Sequence, residues 1–385
     1  MATINLKILF EEIDIYPVGL TYQREFHLSR GTAGSLGEKA PHIFIRVRDS
    51  EGVEGWGEAR PSRYWSYETP QSVFTTLSHF LVPALMGTPV NDKAGFDRIL
   101  SREIAPGLFM GQPIAKSALD MAWHDLQARR KGIPLADLFG GAKHQSLPLI
   151  YTVSASSPDE VESQITKALS LGYRGFKVKL GFGVGMDLEL MKATRTLVPS
   201  AFLWADANQA YNLQDAITLA RELESLGINL LEQPLESDDF EGLKELKYKI
   251  GIPLALDESV FSPNLLKHLA NMKVLDAVVL KISKLGGLAR TYECIQMAQS
   301  QGIQILASGL TESSLGFAAG CQLFATLDSP VPIDFNGPQF LSEDPGDIQK
   351  VFHDASGYLT GDPGIGIIPS EEFLQDHLFK IFKHS

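Results

Sequence analysis

Cysteine is nearly missing: Cys294 and Cys321 are the only two in 385 residues, and both stand in apolar or helical surroundings. Neither a disulfide framework nor a cysteine-rich zinc cluster can be assembled from them, and a reducing, cytoplasmic setting is expected. Blocks of lysine or arginine are also missing, against a formal net charge of -12. Nucleic acids and anionic membrane surfaces are recognised by concentrated basic charge, so both are excluded as expected partners. No apolar run reaches the roughly 18 residues of a membrane span. The opening MATINLKILFEEIDIY alternates apolar and polar residues and lacks the basic start and cleavage site of a signal peptide. Low-complexity and solvated charge runs are absent too, so no long disordered tail is expected. Small molecules remain as the expected partners, and a homo-oligomer stays open.

What is present is a chain with 44% hydrophobic and 21% charged residues, enough for one large or two ordinary cores. Alternating runs at 5–15 and 42–47 predict strands, separated by the polar, glycine-bearing REFHLSRGTAGSLGEKA, read as a loop. Helical spacing dominates 69–130 and stops at Gly132-Ile133-Pro134, which places a boundary near 130–145. Beyond Leu147, short β-rich runs alternate with amphipathic helices. Ser157-Pro158-Asp159-Glu160 is a capping-box pattern before the stripe Val161, Ile165, Ala168 and Leu169; Asn212 precedes Ala216, Leu219, Ala220 and Leu223. Repetition of strand and helix at this spacing implies a parallel sheet.

In YRGFKVKL, residues 173–180, strand alternation points Lys177 and Lys179 to one face, opposite Phe176, Val178 and Leu180. Successive strand ends carry Lys179, Asp206, Glu232, Asp257, Lys281, Ser308 and Asp334, at intervals of 24 to 27 residues. In a closed parallel barrel those ends converge on one rim, where barrel enzymes hold their chemistry. An open doubly wound sheet would spread them along an edge and usually offer a glycine-rich turn after its first strand. The glycines of GFGVGMD do not have that spacing and are read as a flexible loop. The expected fold is therefore α/β, a TIM-type (β/α) barrel.

Asp206, Glu232 and Asp257 at three consecutive strand ends would repel one another if unpaired. Each alone could cap a helix or pair with a lysine. Three in register suit a hard divalent cation with oxygen ligands, Mg²⁺ first, and the lack of accompanying His or Cys speaks against zinc. Lys179 and Lys281 flank the carboxylates and would face each other across the metal. A cation bound to a substrate carboxylate acidifies the neighbouring carbon. Positive charge from Lys177 beside Lys179 would favour a neutral, basic amine, with Lys177 also donating to the substrate carboxylate.

In this order and spacing, GFKVKLG, WADANQAY, LEQPL, LALDES and VVLKISKLGG resemble the enolase superfamily, in particular its muconate lactonizing enzyme subgroup. The resemblance implies an N-terminal α+β capping domain (1–135) whose loops cover the substrate, a catalytic barrel (136–340) and a C-terminal segment (341–385) returning to the cap. It implies Asp206, Glu232 and Asp257 as Mg²⁺ ligands, Lys179 and Lys281 as acid/base residues on opposite faces of the substrate, Asn208 and Glu258 behind the ligands, and no catalytic role for Lys284. The loops FHLSRGT and EARPSRYWSYET look like those of dipeptide epimerases, so a Mg²⁺-dependent racemase or epimerase is expected. Asp334 would hold a dipeptide's ammonium, and Arg30 and Tyr64 would close over the side chains, Arg30 favouring an acidic one; Thr152 is grouped with these substrate-binding residues. Asn336 departs from the D-x-D pattern of that family and removes one negative charge. The same rim would serve an N-succinylamino acid racemase, an o-succinylbenzoate synthase or a muconate-type cycloisomerase, and outside catalysis a metal-binding scaffold.

Overall fold

The computed structural model describes residues 8–28, 31–107, 109–329 and 332–381. Its N-terminal part contains β1 (Phe10–Thr21), β2 (Phe26–Leu28), β3 (Gly31–Gly34), β4 (Lys39–Asp49) and β5 (Glu54–Ala59). β1, β4 and β5 form an antiparallel sheet in that order. The segment read from sequence as a loop folds instead into the β2–β3 hairpin. Its stability is tertiary: Phe26 stacks on Phe340 at 4.2 Å, and the His27 amide donates to Ser154 Oγ at 2.8 Å. Helix Pro113–Lys131 lies across the sheet. Gly55 and Gly57 permit this approach, because a Cβ at either would fall 2.4 and 1.9 Å from the carbonyl oxygens of Ala122 and Ala118.

β6 (Ser146–Pro148) precedes eight parallel strands that hydrogen-bond in strict chain order: β7 (Ile150–Val153), β8 (Gly175–Lys179), β9 (Phe202–Asp206), β10 (Leu230–Glu232), β11 (Leu254–Leu256), β12 (Ala277–Leu280), β13 (Gln304–Ser308) and β14 (Ile333–Asp334). A bridge between Leu149 and Ile333 brings the two edges together, giving a nearly closed barrel. Helices Pro158–Ser170 and Leu213–Ser225 start where their caps predict, at Ser157 and Asn212. The Glu160 carboxylate, however, reaches the Ser156 amide at 2.8 Å rather than that of the cap residue.

The barrel interior is layered. Trp204 packs with Ile150, Leu230, Ala255, Ala277, Val279 and Leu306 in an apolar plug. One residue pair further along the strands the lining turns charged. Residues on the other strand faces, such as Phe176, Val178, Leu203 and Leu231, join the helices in the main core.

Three buried carboxylates tie the cap to the barrel and the C-terminal segment. Glu58 of β5 accepts hydrogen bonds from the Ser313 and Gly316 amides (both 2.9 Å) at the start of helix Ser314–Phe324. Asp120 accepts from the Leu288 amide (2.5 Å) at the start of helix Leu288–Ser300, and Asp125 from Ile365 (2.7 Å). The C-terminal residues touch both parts: β15 (Phe352–His353) and β16 (Ser356–Tyr358) extend β6, while Arg46 meets Glu371 at 2.6 Å and the Gly19 amide donates to the His377 carbonyl. Among the described residues no helix is long and apolar enough to cross a membrane.

Candidate active site

Register sets the first half of the site. Lys179, Asp206 and Glu232 are direct neighbours across β8, β9 and β10, all pointing inward by the alternation that puts Phe176 and Leu203 outward. Asp257 follows the end of β11, and Lys281 follows the end of β12. Lys177, one inward position deeper than Lys179, rests 4.1 Å over the Trp204 ring.

The lysine pair is accommodated by shared carboxylates rather than by mutual repulsion. Lys177 Nζ lies 2.9 Å from Asp206 Oδ2, 2.9 Å from Glu232 Oε2 and 3.1 Å from Asp334 Oδ2. Lys179 Nζ donates to the same Asp206 oxygen at 2.6 Å and to Asn208 Oδ1 at 3.2 Å. Lys281 donates to Asp257 Oδ2 at 2.6 Å and sits 3.9 Å over the Trp65 ring. Lys284 is fully buried behind the site, donating to Asp257 Oδ1 (2.7 Å) and to the Asp257 and Val279 carbonyls (both 2.8 Å).

Burial alone would lower the pKa of Lys177, but Asp206, Glu232 and Asp334 override it and hold the ammonium charged well above the ordinary lysine range. Lys281 is likewise raised: burial opposes and Asp257 prevails. For Asp206, burial is outweighed by Lys177 and Lys179, and the carboxyl stays below the usual range. Asp257 is brought to about 2, Lys281 and Lys284 overcoming its burial. Glu232 and Glu258 go the other way, pushed up by burial and by neighbouring carboxylates, Asp206 for the first and Asp257 for the second. Burial likewise lowers Lys284.

Glu232, Asp257 and Glu258 each bring a carboxylate oxygen within 4.8 Å of the others. Glu232 Oε1 and Glu258 Oε2 are buried without a hydrogen-bond donor, while Glu232 Oε2 has the Lys177 ammonium at 2.9 Å. Unsatisfied buried carboxylate oxygens are costly, and a cluster of them fits a hard divalent cation. Glu258, placed behind the ligands by the resemblance, also accepts from Asn208 Nδ2 at 3.0 Å. Asp206, beside Glu232, is committed to two lysines.

A cavity opens above these groups, and Lys179, Lys281, Asp334 and Asn336 all line it. Asp334 accepts from Thr152 Oγ1 (2.6 Å) and Ser308 Oγ (3.1 Å), so Thr152 acts on Asp334 from below. Asn336 accepts from Thr311 Oγ1 at 3.0 Å. Arg30 lies outside the described residues. Tyr64 is 38% exposed and packs against Arg63 at an outer vestibule; its neighbour Trp65 lines the cavity. Sequence reasoning missed Phe26, Tyr22 and Arg60, which also line it. Arg60 directly follows the end of β5.

The family described as mandelate racemase / muconate lactonizing enzyme, N-terminal domain, matches residues 12–140, and that described as enolase C-terminal domain-like matches 160–373. The chain belongs to the enolase superfamily, in its muconate lactonizing enzyme subgroup. It is 31% identical over 333 residues to the L-Ala-D/L-Glu epimerase of Bacillus subtilis, covering 86% of this chain and 89% of that protein. It is 29% identical over 364 residues to a chloromuconate cycloisomerase of Pseudomonas putida, covering 93% and 95%. The crystal structure of N-succinyl Arg/Lys racemase from Bacillus cereus ATCC 14579 superposes with a TM-score of 0.89 at 27% identity, covering 97% of this chain and 98% of that one. This superfamily member is an isomerase, as those relatives are.

Proposed function

We propose that this isomerase is a Mg²⁺-dependent racemase or epimerase that moves the α-proton of an N-acylated amino acid, with a dipeptide as the first substrate class. The observation that carries the proposal is the placement of two lysines. Lys179 ends β8 and Lys281 follows β12, four strands apart in a barrel of eight, so they line one cavity from opposite walls. A substrate α-carbon held between them offers one face to each.

Mg²⁺ would be held by Glu232 and Asp257, with Asp206 as the third ligand inferred from family spacing and Glu258 in contact range. When bound, it supplies positive charge that stabilises electron density released toward a substrate carboxylate. One lysine takes the α-proton as an amine, and the C–H electron pair moves into the carboxylate. The other lysine, as an ammonium, returns a proton to the opposite face and inverts the centre. Asp206 and Asp257 orient the two amines through their 2.6 Å contacts. Phe26 and Trp65 cover the cavity from the cap and exclude water. Like its relatives' substrates, the expected partner is a small molecule, and the expected setting is the cytoplasm.

A second reading, an N-succinylamino acid as substrate, is favoured by the state of Asp334. Its oxygens already serve Lys177, Thr152 and Ser308, and Asn336 is neutral, so a substrate ammonium finds little free negative charge.

The test is α-proton exchange in D₂O with L,L-dipeptides and N-succinylamino acids in the presence of Mg²⁺. Deuterium incorporation with inversion is expected. Lys179→Ala and Lys281→Ala should each abolish inversion while retaining exchange of opposite antipodes. Full racemisation in either variant, or turnover of cycloisomerase substrates without exchange of any amino-acid derivative, would overturn the proposal.

A further inference from the structure

Arg60 is 3% exposed and lines the cavity, yet no carboxylate lies within 4 Å of its guanidinium among the described residues. Its hydrogen bonds go to neutral oxygens: Nη2 to Tyr22 Oη at 2.5 Å, and Nη1 to the Pro61 carbonyl at 2.5 Å and the Pro41 carbonyl at 3.3 Å. Its Nε is buried with no acceptor at all. A guanidinium removed from water without an anion is costly to hold, and buried arginines are normally paired. The charges on the cavity wall sharpen the point. Besides Arg60 they are Lys179, Lys281 and Asp334, and Asp334 is already engaged by Lys177, Thr152 and Ser308. Two lysines answer to the reacting end of the substrate, which leaves the Arg60 charge without a counterpart.

Arg60 also occupies the junction of two spaces. The inner cavity and an outer vestibule share Tyr22, Ala33, Arg60 and Ser62. The vestibule adds Lys39, Arg63 and Glu38, with Lys39 paired to Glu343 at 2.6 Å. A group reaching Arg60 therefore comes from the part of the substrate directed toward the cap, away from the carboxylate cluster under Lys179 and Lys281.

We infer that the substrate carries a second carboxylate remote from the reacting carbon, and that Arg60 is the residue that selects for it. This rests on the proposed racemase reading of the same cavity. The second carboxylate can belong to an acidic side chain or to a diacid acyl group; both present the planar anion that a guanidinium binds through paired N–H donors. A site built to pair with an anion rejects the neutral isostere, because the cation is then left unpaired.

The experiment compares matched pairs in the Mg²⁺-loaded protein: L-Ala-L-Glu against L-Ala-L-Gln, and N-succinyl-L-alanine against N-butanoyl-L-alanine. Exchange rates give kcat/KM, and calorimetry gives affinity whether or not a proton moves. Wild type should prefer the dianion of one pair by roughly 10- to 100-fold, chiefly in KM and Kd, and which pair shows it identifies the source of the carboxylate. Arg60→Met should bring the ratio close to one, and Arg60→Lys should restore part of it, separating charge recognition from a packing role. A wild-type preference below about threefold in both pairs, or an unchanged ratio in Arg60→Met, overturns the inference. Failure of exchange with every compound despite a dianion preference in binding would count against the racemase reading and leave Arg60 as the anion site.

Discussion

Replacing Lys177 by Met tests whether the buried ammonium is what lets Asp206, Glu232 and Asp334 share the barrel mouth. The methionine retains an apolar stem against Trp204 but removes contacts of 2.9, 2.9 and 3.1 Å to Asp206, Glu232 and Asp334. At about 3 Å and an effective dielectric constant of about 20, each contact represents roughly 5–6 kcal/mol of attraction. Much of this is offset by the desolvation of the groups involved, and proton uptake by the abandoned carboxylates limits the loss further. Truncating one member of a buried ion cluster typically costs about 3–5 kcal/mol, the value expected here in EDTA at neutral pH. Divalent cation should then substitute for the missing charge. Mg²⁺ at one hundred times its Kd stabilises by about 2.7 kcal/mol, and the variant should gain more from Mg²⁺ than wild type does. Urea unfolding of both proteins, in EDTA and in saturating Mg²⁺, measures the four free energies. A loss below about 1 kcal/mol in EDTA, or equal Mg²⁺ gains in the two proteins, would refute this account of the site.

Glu68 provides a pH prediction away from the metal cluster: it is fully buried and accepts the Ile114 and Ala115 amides at 2.7 and 3.1 Å, and burial outweighs these bonds to raise its pKa from 4.5 to about 7. The folded protein binds this proton more tightly than the unfolded chain, so the contribution is complete below pH 4.5 and disappears as pH rises through about 7. Unfolding free energies across that window should fall by at most about 3 kcal/mol from this group, and Glu68→Gln should flatten the profile; an unchanged slope in the variant removes Glu68 as its source. Asp120→Ala strips the Leu288 amide of its acceptor and Lys93 of its partner at 2.9 Å. A loss of about 3 kcal/mol is expected in urea titration, with faster hydrogen exchange at Leu288; unaltered exchange there would show that the link carries no load.

The barrel and its charged rim were readable because strand periodicity is local: once β8 places Phe176 outward, Lys177 and Lys179 must point inward. The same logic carried Asp206 and Glu232, whose register follows from parallel pairing. Loops have no such rule. Tyr64 and Trp65 are adjacent, and the inward choice of Trp65 depends on Lys281 and on Phe261, whose ring lies 6.4 Å away, both far along the chain. The β2–β3 hairpin escaped for the same reason, since Phe340 and Ser154 hold it. Lys177 was foreseen as a neighbour of Lys179 and a donor to substrate; its engagement with three carboxylates required the closed barrel, because Asp334 comes from the last strand.

Glu58, Asp120 and Asp125 reach from the cap into helix starts and loop amides on the other side of the boundary. In the proposed reaction, the part of the molecule that would choose the substrate is thereby indexed against the part that would move the proton. Exchanging caps between members of the superfamily, in evolution or at the bench, would have to carry these three acids along with the recognition loops. A transplanted cap lacking them would bring new side chains to the cavity without the alignment that aims them at the reacting carbon.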